Sequence, residues 1–367
     1  MAEIVAGSDF PFRIDRFDLQ DLTDGPYLSR SATSFSFVTG DGYVDTFEGQ
    51  DFTYDGFGDP LTGQITAIRE TVDGDAAFAI TGLDLSVDEF AEIAFDLSDR
   101  DGFAALLSGD DRFSGSAFSD YVEGFAGHDY LAGGAGADTL GGGSGNDHIY
   151  GQSANGGPDG NDELYGDDGS DYIQGNAGND SIDGGSGADR LVGGQGNDVL
   201  LGGFGGDTIN GNLGNDVVRG EDGNDSLRGG QGDDIVTGGD GNDIIAGDLG
   251  VDELRGGTGA DLFLFSGLGS TIGAGVDKVV DFTGGVDRLS LGFTPATVLT
   301  AGAQTELSAA TTAQQLFDAN AGTNEVAALS VGNDTYIFYA SNGGATVDSA
   351  IRLIDVGASA ISLSDFG

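Results

Sequence analysis

Large apolar residues return with a fixed rhythm through the middle of this chain. They stand at Val122, Leu131, Leu140 and Ile149, and, after a six-residue slip, at Leu164, Ile173, Ile182, Leu191, Leu200, Ile209, Val218, Leu227, Val236, Ile245, Leu254 and Phe263. The step is nine residues, and two positions before each of them stands an aspartate. The phrase is G-G-x-G-x-D-x-U-x, with U the large apolar residue, as in GGQGNDVLL from Gly193 to Leu201. Self-similarity at a fixed short period predicts a stacked repeat architecture. The six residues Gly193–Asp198 predict a tight turn, because glycine reaches positive φ without a Cβ clash. The three residues Val199–Leu201 predict a short strand whose middle side chain points inward. One turn and one strand make half a coil, so residues eighteen apart stack in a parallel sheet at roughly 4.8 Å.

The flanks carry a different pattern. Residues 1–108 are dense in Phe35, Phe37, Tyr43, Phe47, Phe52, Tyr54 and Phe57, alternating with polar residues between DG and GD turns. This predicts short antiparallel strands. A helix is expected near Ser86–Leu107, where Ser86 and Glu89 could form a capping box and Phe90, Ile93 and Ala94 a short apolar stripe. Residues 266–367 contain VDKVVDF, DRLSL, EVAALSV, DTYIFYA and AIRLIDV, which predict strands, and a short helix around Thr312–Asn320. The domain reading is therefore an N-terminal β-rich cap or interaction module (1–108), a repeat roll (109–265) and a C-terminal β-rich cap (266–367). The fold class is all-β, a parallel β-roll between two β-rich modules.

Charge then makes the repeat a chemical problem. The 367 residues hold 62 Asp+Glu against 13 Lys+Arg, a net charge of -49. That excess argues against nucleic acid and anionic membranes as partners. The coil geometry stacks the aspartates in two columns. One carries Asp129, Asp147, Asp171, Asp189, Asp207, Asp225, Asp243 and Asp261; the other Asp120, Asp138, Asp162, Asp180, Asp198, Asp216, Asp234 and Asp252. Stacked carboxylates repel unless a cation lies between them. Carboxylates and turn carbonyls form a hard oxygen donor set suited to Ca²⁺. On the order of ten or more ions are expected, offsetting about twenty charges. The turns Gly115–Asp120 (GSAFSD), Asn155–Asn161 and Gly247–Asp252 (GDLGVD) depart from the pattern and are the weakest candidates.

The phrases GGSGND, GGQGND, GGDGND and GGQGDD, with an aliphatic two residues past each Asp, are similar to the RTX, or haemolysin-type, calcium-binding repeats. ADLFLFS followed by VDKVVDFTGGVDRLSL resembles the C-terminal flank of that family, and IRLIDVGASAISLSDFG resembles a type I secretion signal. The resemblance implies export through a type I channel, unfolded, with calcium-driven folding outside the cell. The sequence is compatible with this: it has no Cys, and MAEIVAGSDFPF lacks a basic and then apolar leader. No run is long and apolar enough to predict a membrane-spanning helix.

Catalytic signals are absent. The histidines are His128 and His148, read as surface residues, with no H-E-x-x-H of the family's zinc proteases and no G-x-S-x-G elbow. The G-x-G-x-x-G matches are repeat glycines. Outward positions beside U place Val199, Val217 and Ile235 eighteen apart, with Leu201 beside them, as an aliphatic stripe; Tyr130, His148, Tyr150 and Tyr172 cluster on the opposite sheet. Exposed apolar area of this kind marks contact surfaces. The expected function is a non-enzymatic, calcium-binding structural or adhesive protein of the cell surface or biofilm matrix. It would self-associate through its end modules or outer faces, with cell-surface polysaccharide as a further partner. The alternative is an exported enzyme or glycan-binding protein whose N-terminal module carries the activity.

Overall fold

The computed structural model describes residues 107–152, 160–265, 275–303, 305–320, 325–340 and 347–367. It also describes the backbone of strands at 3–6, 27–30, 34–38, 44–54, 60–72 and 75–86. The chain packs as two compact units, Met1–Ser181 and Ile182–Gly367. Among the described residues no helix is long and apolar enough to cross a membrane, which says nothing of strands.

In the first unit the N-terminal strands pair antiparallel in the order Tyr27–Arg30, Ser34–Val38, Val44–Tyr54, Pro60–Val72, Asp75–Ser86 and Glu3–Ala6. Antiparallel pairing is as expected, but the strands are not all short: three run for 11, 13 and 12 residues. The longest pairing passes Gly49 through a register shift rather than ending there. A bulge there lets the strand run on through the glycine. The expected helix after Ser86 falls on residues 87–106, outside the described residues. Glu3–Ala6 also pairs parallel with Arg112–Ser114, placing Ile4 opposite Phe113. The N-terminal sheet thus continues directly into the first coil.

The coils follow. Arg112–Ser114, Tyr130–Gly134, His148–Gln152 and Tyr172–Ala177 pair in parallel on one sheet. Tyr121–Glu123, Thr139–Ser144 and Glu163–Asp168 do so on the other. Successive nonapeptides alternate between the sheets, as the half-coil reading requires.

The second unit repeats the arrangement. Arg190, Thr208, Ser226, Ile244, Leu262 and Arg288 stand opposite one another along one sheet. Val199, Val217, Ile235, Glu253 and Lys278 do so along the other. From Arg190–Gln195 to Glu253–Thr258 the strands are six residues long, as in Val199–Phe204, not three; Leu262–Leu264, Asp277–Val279 and Arg288–Ser290 have the expected three. The ladder continues through the opening positions of the next turn, where Gly203 pairs with Glu221 and Phe204 with Asp222. Each U side chain is at most 2% exposed, from Val122 to Phe263. The interior is therefore a single file of aliphatic side chains per sheet. Burying each contributes about 1.5–3 kcal/mol.

Beyond the coils, Asp277–Val279 pairs parallel with Ser349–Leu353, which continues antiparallel into Asp334–Tyr339 and Glu325–Val331. Thr297–Ala303, not foreseen in the sequence, lies parallel to Glu325–Val331. The helix spans Glu306–Asn320, six residues earlier than expected. Thr305 accounts for the difference: its Oγ1 accepts the Ser308 N–H at 3.2 Å and closes the first turn. Ala309, Ala313 and Phe317 bury against Leu329, Tyr336 and Phe338. The terminal residues are packed: Asp365 and Phe366 are buried, and Asp365 Oδ1 accepts the Gly285 N–H at 2.7 Å.

Candidate metal centre

Every predicted aspartate of the two columns is buried, at most 3% exposed. Strand alternation turns U inward, so the turn folds the Asp two positions earlier back beneath the next coil. One carboxylate oxygen is committed to the backbone. Asp216 N–H donates to Asp234 Oδ1 at 2.8 Å, and Asp225 N–H to Asp243 Oδ1 at 2.9 Å. Within each unit the same bond joins residues 18 apart, as at Asp111–Asp129 and Asp120–Asp138 in the first and Asp189–Asp207 and Asp198–Asp216 in the second. It spans 24 residues across the slip, at Asp138–Asp162 and Asp147–Asp171. Both columns therefore continue across the slip. Both columns are ordered as the sequence implied.

The second oxygen is what a cation would use. Oδ2 of Asp129, Asp147, Asp207, Asp216, Asp225, Asp234, Asp243, Asp252 and Asp261 is buried and accepts no hydrogen bond. A buried ionised oxygen without a partner is costly. A backbone carbonyl faces it. A Cβ built on Gly124 would lie 2.5 Å from Asp129 Oδ2 and 2.6 Å from Gly142 O. On Gly184 it would lie 2.7 Å from Asp189 Oδ2 and 2.5 Å from Gly202 O. The first glycine of the phrase thus keeps open a space where a carboxylate oxygen and a carbonyl oxygen from the next coil converge. The glycine at the fourth position is required by conformation: Gly214 has φ +132°, and a side chain there would enter the Gly196 carbonyl.

Among the described residues no group of three or more His, Cys, Asp or Glu gathers at one point. Side chains alone cannot complete a site, so backbone carbonyls must supply the remaining donors. That is the donor set of a hard, oxygen-preferring, irregularly coordinated ion, and the residues fit Ca²⁺. Burial pushes the Asp129 and Asp234 carboxyls up to about 7, against a stabilising backbone N–H and with neighbouring aspartates adding to the rise. Burial likewise raises Asp207, Asp243 and Asp252 to about 6. Without a cation these groups resist ionisation where they stand.

Asp120 differs. Its Oδ2 accepts the Ser116 N–H at 2.6 Å and its Oδ1 the Ser116 hydroxyl at 3.1 Å, so the irregular GSAFSD turn supplies donors itself. Asp252, in the other irregular turn, keeps its Oδ2 without a donor.

Two further aspartates extend the columns, and a third caps the turn beside them. Asp252 N–H donates to Asp277 Oδ1 and Asp261 N–H to Asp287 Oδ1, each at 3.1 Å. Asp281 accepts the Gly256 and Gly257 N–H groups at 2.9 and 3.0 Å. The first two keep the D-x-U signature, as Asp277-Lys278-Val279 and Asp287-Arg288-Leu289, and only their irregular spacing hides them.

The residue before each Asp also has a role that the phrase leaves as x. Asn197 Oδ1 accepts the Asn215 N–H at 2.7 Å, Asn215 Oδ1 the Asp233 N–H at 2.9 Å, and Asp233 Oδ1 the Val251 N–H at 2.9 Å. His128 joins this outer ladder, its Nδ1 accepting the Asn146 N–H at 2.8 Å. Both histidines are exposed, as read from the sequence.

The family described as RTX calcium-binding nonapeptide repeat (4 copies) matches residues 107–140, 134–155, 157–191, 183–218, 192–227, 219–254 and 228–263. No curated protein matches the chain. Among solved structures, the AlgE6R3 subunit of the Azotobacter vinelandii mannuronan C5-epimerase is 24% identical, over 48% of this chain and 80% of its own, with a TM-score of 0.30. The AlgE6R2 subunit of that epimerase is 24% identical over 48% and 89%, with a TM-score of 0.25. The extracellular lipase LipA of Serratia marcescens is 17% identical over 71% of this chain and 40% of its own, with a TM-score of 0.23.

Proposed function

We propose that this chain, which carries RTX calcium-binding nonapeptide repeats within residues 107–263, is a secreted structural or adhesive protein of the cell surface or extracellular matrix. Repeats of this type bind multiple Ca²⁺ ions. In this reading the ions are held between coils by the aspartates of the two columns, Asp120 to Asp252 and Asp129 to Asp261. The chain leaves the cell by a type I route and folds where calcium is abundant, because ions that bind only the folded coil shift the folding equilibrium by mass action.

The observation that carries an assembly role is the outer surface of the second unit. Val199 and Ile235 are 40% and 45% exposed on one sheet, in register with half-buried Val217 between them. Ile244, Leu213 and Leu249 are comparably exposed on the other. Contiguous aliphatic area on a soluble polyanion favours contact with another copy. Light scattering and negative-stain microscopy in Ca²⁺, then in chelator, test this. Polymers that form and dissolve reversibly, and that Val199→Asp with Ile235→Asp prevents without altering the calcium-loaded circular dichroism, support it. A monodisperse calcium-loaded chain that binds or cleaves a polysaccharide would instead favour the enzymatic or glycan-binding alternative.

A further inference from the structure

One groove of the first unit departs from the repeat in two opposite ways. The last position of each phrase points outward, and from Ser114 to Leu264 it carries a side chain in every repeat but one, Gly141. The second position of the turn adopts positive φ in fourteen described turns, eight of them with glycine and six with a side chain, of which only Phe125 is aromatic. Here it holds Phe125 and Asp167, each at φ 68°. Left-handed backbone costs a non-glycine residue about 1–2 kcal/mol. The missing side chain and the two strained ones meet at one place. Gly141 pairs with Glu123 on one neighbouring strand and Tyr165 on the other. A Cβ at Gly141 would have only Asp167 Oδ2 near it, at 3.7 Å. The result is a groove of about 500 Å³ lined by Tyr121, Glu123, Phe125, Gly141, Tyr165 and Asp167.

Its chemistry is specific. Three aromatic rings and two carboxylates line one concavity on a chain of net charge -49. An anion is repelled by both carboxylates and by the field of the whole molecule. A bare metal ion would use the carboxylates and gain little from the aromatic walls. A cation carried on a carbon frame uses both: its charge faces Glu123 and Asp167, and its alkyl groups pack on the rings, whose faces attract cations. Tyr121 hydroxyl donates to Glu123 Oε1 at 2.9 Å, which orients that carboxylate. We propose that the groove over Gly141 binds an organic ammonium ion, a protonated or quaternary amine of small-molecule size.

Ligand-observed NMR and calorimetry on the full chain in saturating Ca²⁺ test this, with choline and glucosamine as cationic probes and glucose and galacturonate as neutral and anionic controls. Binding of a cationic probe, at least ten-fold tighter than either control, is expected. A Cβ at Gly141 meets no backbone within 4 Å, so Gly141→Leu should occupy the groove and abolish binding while leaving the calcium-loaded circular dichroism unchanged. Asp167→Asn tolerates the same left-handed backbone and should weaken binding about ten-fold. No binding of either cationic probe, equal binding of glucose, or binding indifferent to Gly141→Leu would overturn the proposal. None of these readouts depends on assembly.

Discussion

At the scale of single residues, the repeat uses each aspartate oxygen differently. Oδ1 accepts a backbone N–H from the preceding coil, and in nine of the columns' aspartates Oδ2 is buried without a donor. The outer ladder runs in the opposite sense, with Asn197 and Asn215 accepting N–H groups from the coil that follows. Asn215→Ala should remove one such bond and cost about 1 kcal/mol. Chemical denaturation in saturating Ca²⁺ measures it, and Asn215→Asp, which keeps the acceptor, should cost less. Glu221 sits at φ 72° in a position where other turns place glycine. Glu221→Gly should relieve that strain and raise the denaturation midpoint, a gain of up to about 1 kcal/mol. An unchanged midpoint would mean that the turn has adapted to the side chain.

At the scale of elements, the coils were legible in the sequence because two physical demands fix residue type. The interior admits only U, and the column admits only a short carboxylate, so period, phase and sheet alternation follow from Asp198 and Leu200 and their copies. What was hidden lacked that redundancy. Asp277 and Asp287 obey the local chemistry but not the spacing. Asp281 replaces the next coil's carbonyls as acceptor, a role with no repeat signature. The long N-terminal strands were hidden because register shifts, as at Glu48/Gly49, let a strand run on, and the alternation of residue types does not show where it ends. Asp281→Ala should strand the N–H of buried Gly256, at about 1–3 kcal/mol, and leave that of exposed Gly257 to water. Hydrogen exchange should then quicken at those two amides before others in the coil. Uniform exchange across the unit would show that the end of the roll is secured elsewhere.

At the scale of the whole molecule, calcium and protons should act as rivals. Asp129 and Asp234 rise to about 7 in the fold from an ordinary value of 3.8. A carboxyl raised on folding stabilises the fold below its unfolded value, and that contribution is lost as pH rises through the folded one. In chelator the roll should therefore be weakest at pH 8 and regain β-structure towards pH 5, by far-UV circular dichroism. With Ca²⁺ present the order reverses, because the ions require the ionised form. Each site contributes about 2.7 kcal/mol when calcium stands at a hundred times its dissociation constant. Nearest-neighbour stacking makes the transition steep in calcium. A chelated protein with full β-signal at pH 8 would contradict the cation's role.

The carboxylates that close the last coil also set a reading frame. Each coil leaves its aspartate N–H for an acceptor further along, so no coil can be last unless something outside the repeat supplies one. Asp277 and Asp287 do so, one on each sheet. Duplicating Gly202–Arg219, one whole turn of eighteen residues, should therefore lengthen the roll and still find its terminator. Adding a single nonapeptide would present each terminating carboxylate to the opposite sheet. The calcium-dependent dichroism should grow in the first variant and collapse in the second, so the architecture can be lengthened only in whole turns.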